Sequence, residues 1–102
     1  MALRRYIEIE HKNEKQRIDF PRNLEMTISF TQRGEPRVET RVLENGLIFR
    51  DILGNPRVEN KTDGKRDVYI GTALLEQDNV RTITDQAYIK IGTLKVRYYE
   101  SQ

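Results

Sequence analysis

Strict alternation of apolar and polar side chains is the pattern that most limits what this chain can become. In "LEMTISF", Leu24, Met26, Ile28 and Phe30 share one side, and Glu25, Thr27 and Ser29 share the other. Successive side chains of a strand point to opposite faces, so this period reads as a β-strand with one dry face. Such a strand belongs to an antiparallel sheet with one face on the core and one in contact with water or a partner. "LRRYIEIE" repeats the pattern, with Leu3, Ile7 and Ile9 opposed to Arg4, Tyr6, Glu8 and Glu10.

Turn chemistry divides the remainder. "HKNEKQR" reads as a polar loop, and "IDFPRN" as two apolar anchors, Ile18 and Phe20, on an edge or connection, because Pro21 has no N–H to donate. "QRGEP" is a turn. Asn45-Gly46 suits a type I′ hairpin, which sets Val38 opposite Leu53, Val42 opposite Phe49 and Arg41 opposite Arg50. Gly54 to Pro56 is a further turn. A weaker hairpin is expected over 57–71, with its tip near Asp63-Gly64. "TALLEQDN" is the one segment with helical character, and Asp85-Gln86 is a turn between strands. In "YIKIGTLKVRYYE" the apolar side changes from odd to even numbers at Gly92-Thr93. A bulge there gives one long bent strand and is the favoured reading; a two-residue type II′ hairpin is its competitor.

The expected architecture is therefore all-β: a small antiparallel barrel or sandwich of about six to eight strands. It includes at most one short helix near 72–78 and forms a single domain over 1–102. A chain of 102 residues can bury one modest core. A third of the residues are charged, yet the net charge is only +2, so the basic pI near 9.0 reflects a small excess rather than a basic tail. A duplex-DNA binder would carry a stronger local excess.

The chemistry expected to be absent is extensive. The chain has no cysteine, hence no disulfide and no thiolate metal site. His11 is its one histidine, which leaves no histidine-based triad or metal cluster. Asp51, Asp63, Asp67, Asp78 and Asp85 lie at or near turns, where carboxylates commonly bind their own backbone. "NKTDGKRD" lacks the alternating ligands of a calcium loop. No catalytic residue, cofactor or metal site is expected, and the chain is read as a non-enzyme. Asn60-Lys61-Thr62 matches a glycosylation sequon by chance, because the charged start "MALRRYIEIEH" is no signal core. No apolar run reaches the roughly 18 residues of a membrane span. A cytoplasmic location is expected, or a virion if the source is viral.

What remains is a face. Tyr88, Lys90, Lys95, Arg97 and Tyr99 gather on the wet side of the terminal segment, and Leu94, Val96 and Tyr98 on the dry side with Ile89 and Ile91. Arg41 with Arg50 is a second candidate cationic spot, and Arg4, Arg5 and Tyr6 a third. Tyr and Arg are enriched at protein interfaces; aromatics with cations also bind single-stranded nucleic acid. Lys and Arg on an exposed face equally serve only to discourage edge pairing. RNA-recognition signatures and the aromatic-rich cold-shock strand do not occur. In general character such a domain resembles the small subunits of virion necks, tails and other multi-subunit assemblies. The expected function is a non-enzymatic structural or adaptor subunit of a larger assembly, paired with other protein subunits as a homo- or hetero-oligomer. The alternatives are an OB-like single-strand nucleic-acid binder and a small inhibitor of a macromolecule.

Overall fold

The computed structural model describes residues 4–20 and 23–101; Leu3 and Pro21 lie outside them. The described residues form eleven strands and no helix. These are β1 (Arg4–His11), β2 (Glu14–Asp19), β3 (Glu25–Phe30), β4 (Pro36–Glu39), β5 (Gly46–Ile52), β6 (Asn55–Lys61), β7 (Val68–Ile70), β8 (Ala73–Leu74), β9 (Val80–Thr82), β10 (Tyr88–Ile91) and β11 (Leu94–Ser101). One antiparallel sheet, A, has the order β2-β1-β11-β10-β7-β8, and the other, B, the order β4-β3-β5-β6-β9. The architecture is a β-sandwich.

The core lies between the sheets and follows the alternation. Sheet A contributes Ile7, Ile9, Val68, Ile89, Ile91, Leu94, Val96 and Tyr98; sheet B contributes Met26, Ile28, Leu47, Phe49 and Val58. Phe20, Leu75 and Ile83 enter from connections. The Phe20 and Tyr98 rings meet edge to face at 5.7 Å, a favoured aromatic geometry.

Tight hairpins join neighbours within a sheet. Lys12 and Asn13 turn at φ 50° and 66° between β1 and β2, and Leu53 and Gly54 at 53° and 83° between β5 and β6. Two central residues at positive φ suit the right-handed twist of the flanking strands. "HKNEKQR" is thus a hairpin and a polar edge strand, not a loop. Its residues lack the apolar partners that mark a strand, because an edge strand's inner face is barely covered. Gly92 lies at φ 57°, Thr93 is not at positive φ, and Ile91 is paired with Leu94. The phase change is therefore the two-residue hairpin, and the favoured bulge is corrected. A bulge and this hairpin sort side chains identically, so alternation could not separate them.

Two further expectations are corrected. β4 and β5 do not pair: both flank β3, with Ile28 opposite Val38 on one side and Leu47 on the other. Residues 40–45 instead strap over the outside of β3. There the buried Thr27 hydroxyl donates to the Arg41 carbonyl at 2.8 Å and accepts the Leu43 N–H at 3.0 Å. Gly46 serves close approach rather than a type I′ turn. Its φ is 141°, and a Cβ would lie 2.6 Å from the Ile28 carbonyl oxygen. Likewise β6 and β7 belong to different sheets, so 62–67 is a crossing loop rather than a hairpin tip.

The expected helix near 72–78 is also absent: Ala73 and Leu74 pair with β7, and the Leu75 N–H bonds the Val68 carbonyl at 2.7 Å. A two-turn helix is marginal without packing, and here the edge of β7 offers the backbone a better partner. Asn60 is buried, donating to the Leu75 carbonyl at 2.8 Å and accepting the Thr62 N–H and hydroxyl at 3.0 and 2.7 Å. Asn60 and Thr62 of the sequon therefore fix the bend at the end of β6.

Candidate functional site

The outer face of sheet A assembles the predicted stripe. The β10–β11 hairpin sets Tyr88 beside Arg97 and Lys90 beside Lys95. β1 then adds Glu10 beside Lys95, Glu8 beside Arg97 and Tyr6 beside Tyr99. β2 adds Lys15 beside Glu10 and Arg17 beside Glu8. All five expected residues, Tyr88, Lys90, Lys95, Arg97 and Tyr99, lie on one surface, with Lys90 and Lys95 exposed and the others half-buried. Arg17 and Lys15 were missed, because β2 was read as loop. The Lys12-Asn13 pair between two charged runs was the available signal, weaker than Asn-Gly.

The rings on this face already have neighbours. Tyr6 stacks on Tyr99 with centroids 4.9 Å apart and planes 21° from parallel. The Arg17 guanidinium lies 4.1 Å from the Tyr6 centroid, and that of Arg97 lies 4.8 Å from Tyr88. Such cation–π contacts hold both partners in place. A shallow hollow of about 260 Å³ opens between Glu8, Glu10, Lys15, Tyr88, Lys95, Arg97 and Tyr99. Lys15 Nζ lies 3.9 Å from Glu8, a loose exposed contact. Neither Lys90 nor Lys95 has a carboxylate within 4.0 Å among the described residues. Like charges directly opposed on neighbouring strands are unfavourable, so Lys90 beside Lys95 weakens the β10–β11 pairing, while Glu10 is the opposite charge across from Lys95 on β1. Farther along that row, Lys90 is beside Tyr69, and Tyr69 beside Leu74; both are exposed, at 38% and 45%.

The second and third cationic spots are not assembled as expected. Arg50 faces Arg57 of β6, not Arg41, and its Nε lies 3.9 Å from Glu25. Arg41 lies in the strap over β3. Arg5 points inward, away from Arg4 and Tyr6. Its guanidinium bonds buried Asp51 at 2.9 Å, with side-chain exposures of 5% and 0%, and lies 5.3 Å from the Phe20 ring centroid. Asp51 also accepts the N–H groups of Asn23 at 2.9 Å and Gly54 at 3.4 Å. Burial alone would raise the Asp51 pKa, but the Arg5 and backbone hydrogen bonds outweigh it and hold it below the usual carboxylate value. Tyr98 is the opposite case: burial, then its hydrogen bond to Glu100 at 2.7 Å, pushes its phenol well up.

Three of the other turn carboxylates have structural partners too. Asp63 and Asp85 accept the backbone N–H groups of Lys65 and Glu100, and Asp78 pairs with Lys61 at 2.9 Å. Among the described residues, no three His, Asp or Glu side chains converge in a metal-binding group. Among the described residues there is no helix long and apolar enough to cross a membrane. No protein-family model matches the chain, and searches of curated proteins and of solved structures likewise returned no match.

Proposed function

We propose that this protein is a non-enzymatic adaptor or structural subunit whose outer sheet A face docks an acidic surface of another protein. The observation that carries the reading is the unpaired Lys90–Lys95 couple, flanked by the Arg97–Tyr88 and Arg17–Tyr6 pairs and by exposed Tyr69 and Leu74. Opposed cations that do not serve the fold are relieved when an acidic partner approaches, and Tyr and Arg anchors typify protein interfaces. Nucleic acid fits this face less well. Arg17 and Tyr99 flank the Tyr6 ring and Arg97 covers Tyr88, whereas base stacking needs an open ring.

Faces are favoured over edges as the docking element. β8 and β9 have two and three residues, β4 begins with Pro36, and β2 carries Lys15 and Arg17. Short, proline-bearing and charged edges discourage strand addition. The test uses the charge reversals Lys95→Glu and Arg97→Glu together, with Arg37→Glu on sheet B as control. A partner captured by the wild type, and synthetic acidic peptides measured by interferometry, should lose binding to the double variant and keep it with the control. Retained binding by the double variant, or a salt-sensitive oligonucleotide anisotropy change without peptide binding, would overturn the reading.

A further inference from the structure

A second concavity lies beside the turn that joins β10 to β11, and Arg66 stands between it and a shallow hollow that Tyr69 and Lys90 line on the sheet A side. The end of β3, the β3–β4 turn, Asn45, the crossing loop 62–67 and the end of β10 enclose about 330 Å³ there. Its wall is dominated by one arginine. Arg66 is held between turns of opposite sheets: a Cβ on Gly92 would lie 3.3 Å from its Cδ, and one on Gly34 would lie 3.1 Å from its Nη2. Its guanidinium sits 5.1 Å from the Phe30 centroid. No carboxylate lies within 4.0 Å of it among the described residues. Arg66 is exposed, and its guanidinium rests over Phe30 without being neutralised.

The rest of the lining supplies donors. Lys65 brings an ammonium, Ser29 a hydroxyl, and Gln32 and Asn45 amides. Asp63 is the one carboxylate in the lining, and Lys65 occupies it: its backbone N–H bonds Oδ1 at 3.0 Å and its ammonium lies 3.8 Å from Oδ2. A planar guanidinium with no carboxylate partner, beside neutral donors and the Lys65–Asp63 pair, matches a tetrahedral oxyanion, which presents several acceptor oxygens at once. We propose that this cavity binds a phosphate group, as the inorganic ion or as the monoester of a small molecule, with Arg66 as its principal cation.

Amide-resolved NMR titration of the full chain with inorganic phosphate and with phenyl phosphate tests this. Saturable shifts are expected at residues 29–32, 45 and 62–66. Arg66→Gln should weaken binding by about tenfold or more, while Arg97→Gln leaves it unchanged. Tighter binding of phenyl phosphate identifies a monoester as the natural ligand; equal binding identifies the free ion. Circular dichroism of Arg66→Gln confirms that its fold is kept. Absence of saturation, shifts confined to the sheet A stripe, or wild-type affinity in Arg66→Gln would overturn the proposal. A loss of protein-partner docking in Lys95→Glu/Arg97→Glu bears on the other face alone.

Discussion

Arg5 and Asp51 show how one residue can be placed correctly by parity and misjudged by charge. Arg5 shares the odd-numbered side of β1 with Ile7 and Ile9, so alternation sends it into the core. Its charge suggests solvent, and only the partner on β5, 46 residues away, resolves the conflict. A buried pair adds little net stability over apolar side chains, but removing one member leaves an uncompensated charge. Asp51→Asn should therefore lower unfolding free energy by about 3 kcal/mol at pH 7. The pH dependence follows from the lowered carboxyl pKa. The unfolded state takes up its proton first as pH falls below about 4, so stability held by Asp51 is complete above that value and lost below it. Urea midpoints from pH 7 down to pH 3 should show wild type and Asp51→Asn converging at the acid end. A constant gap would mean that Asp51 is not an ionised partner of Arg5.

At the scale of elements, strands were legible and their partners were not. "LEMTISF" is a strand where expected, and the terminal segment alternates as expected but as two strands rather than the favoured single one. Asn45-Gly46 misled because a glycine at positive φ satisfies two unlike demands: a tight reversal, or passage of backbone against backbone. Local sequence is the same for both, and only the position of β3 between β4 and β5 selects the second. Two alanine substitutions separate these demands. At Gly71, φ is 60° and no neighbouring atom lies within 4 Å of the added Cβ, so backbone strain alone should cost about 1 kcal/mol. At Gly46 the Cβ also meets the Ile28 carbonyl oxygen and Thr27 Cγ2 at 2.6 and 2.7 Å. Gly46→Ala should lose at least about 3 kcal/mol in denaturant unfolding. Equal losses at the two positions would show that the strap over β3 yields easily. The site was legible on the same terms: the stripe on β10 and β11 followed from alternation. Its completion by β1 and β2 depended on a pairing between chain segments some ninety residues apart, Tyr6 with Tyr99.

The whole molecule is organised by that distant pairing. The chain passes between sheets at β2–β3, β6–β7, β8–β9 and β9–β10, and closes by laying β11 between β1 and β10. Sequence alone favours sandwich or barrel without deciding, since both satisfy the same alternation and turn spacing; the four crossings decide for two layers. Closure of β1 on β11 must organise nearly the full chain before its contacts are gained, which is the condition that slows folding of β proteins to about milliseconds or longer. Arg4 lies opposite Ser101, so a short linker joining the two ends makes the β11–β1 pairing a local hairpin. Opening the chain instead at Leu53-Gly54, where Leu53 is 89% exposed at a hairpin tip, exchanges one local pairing for the most distant one. This circular permutant should keep the strand order and the Tyr6–Tyr99 stack, visible as unchanged far-ultraviolet dichroism and NMR contacts. Its β1–β11 pairing becomes local while β5–β6 becomes distant. If β1–β11 closure limits folding, stopped-flow refolding of the permutant should be faster than wild type. If β5–β6 instead forms the nucleus, refolding should be slower, and the terminal pairing is then a late step.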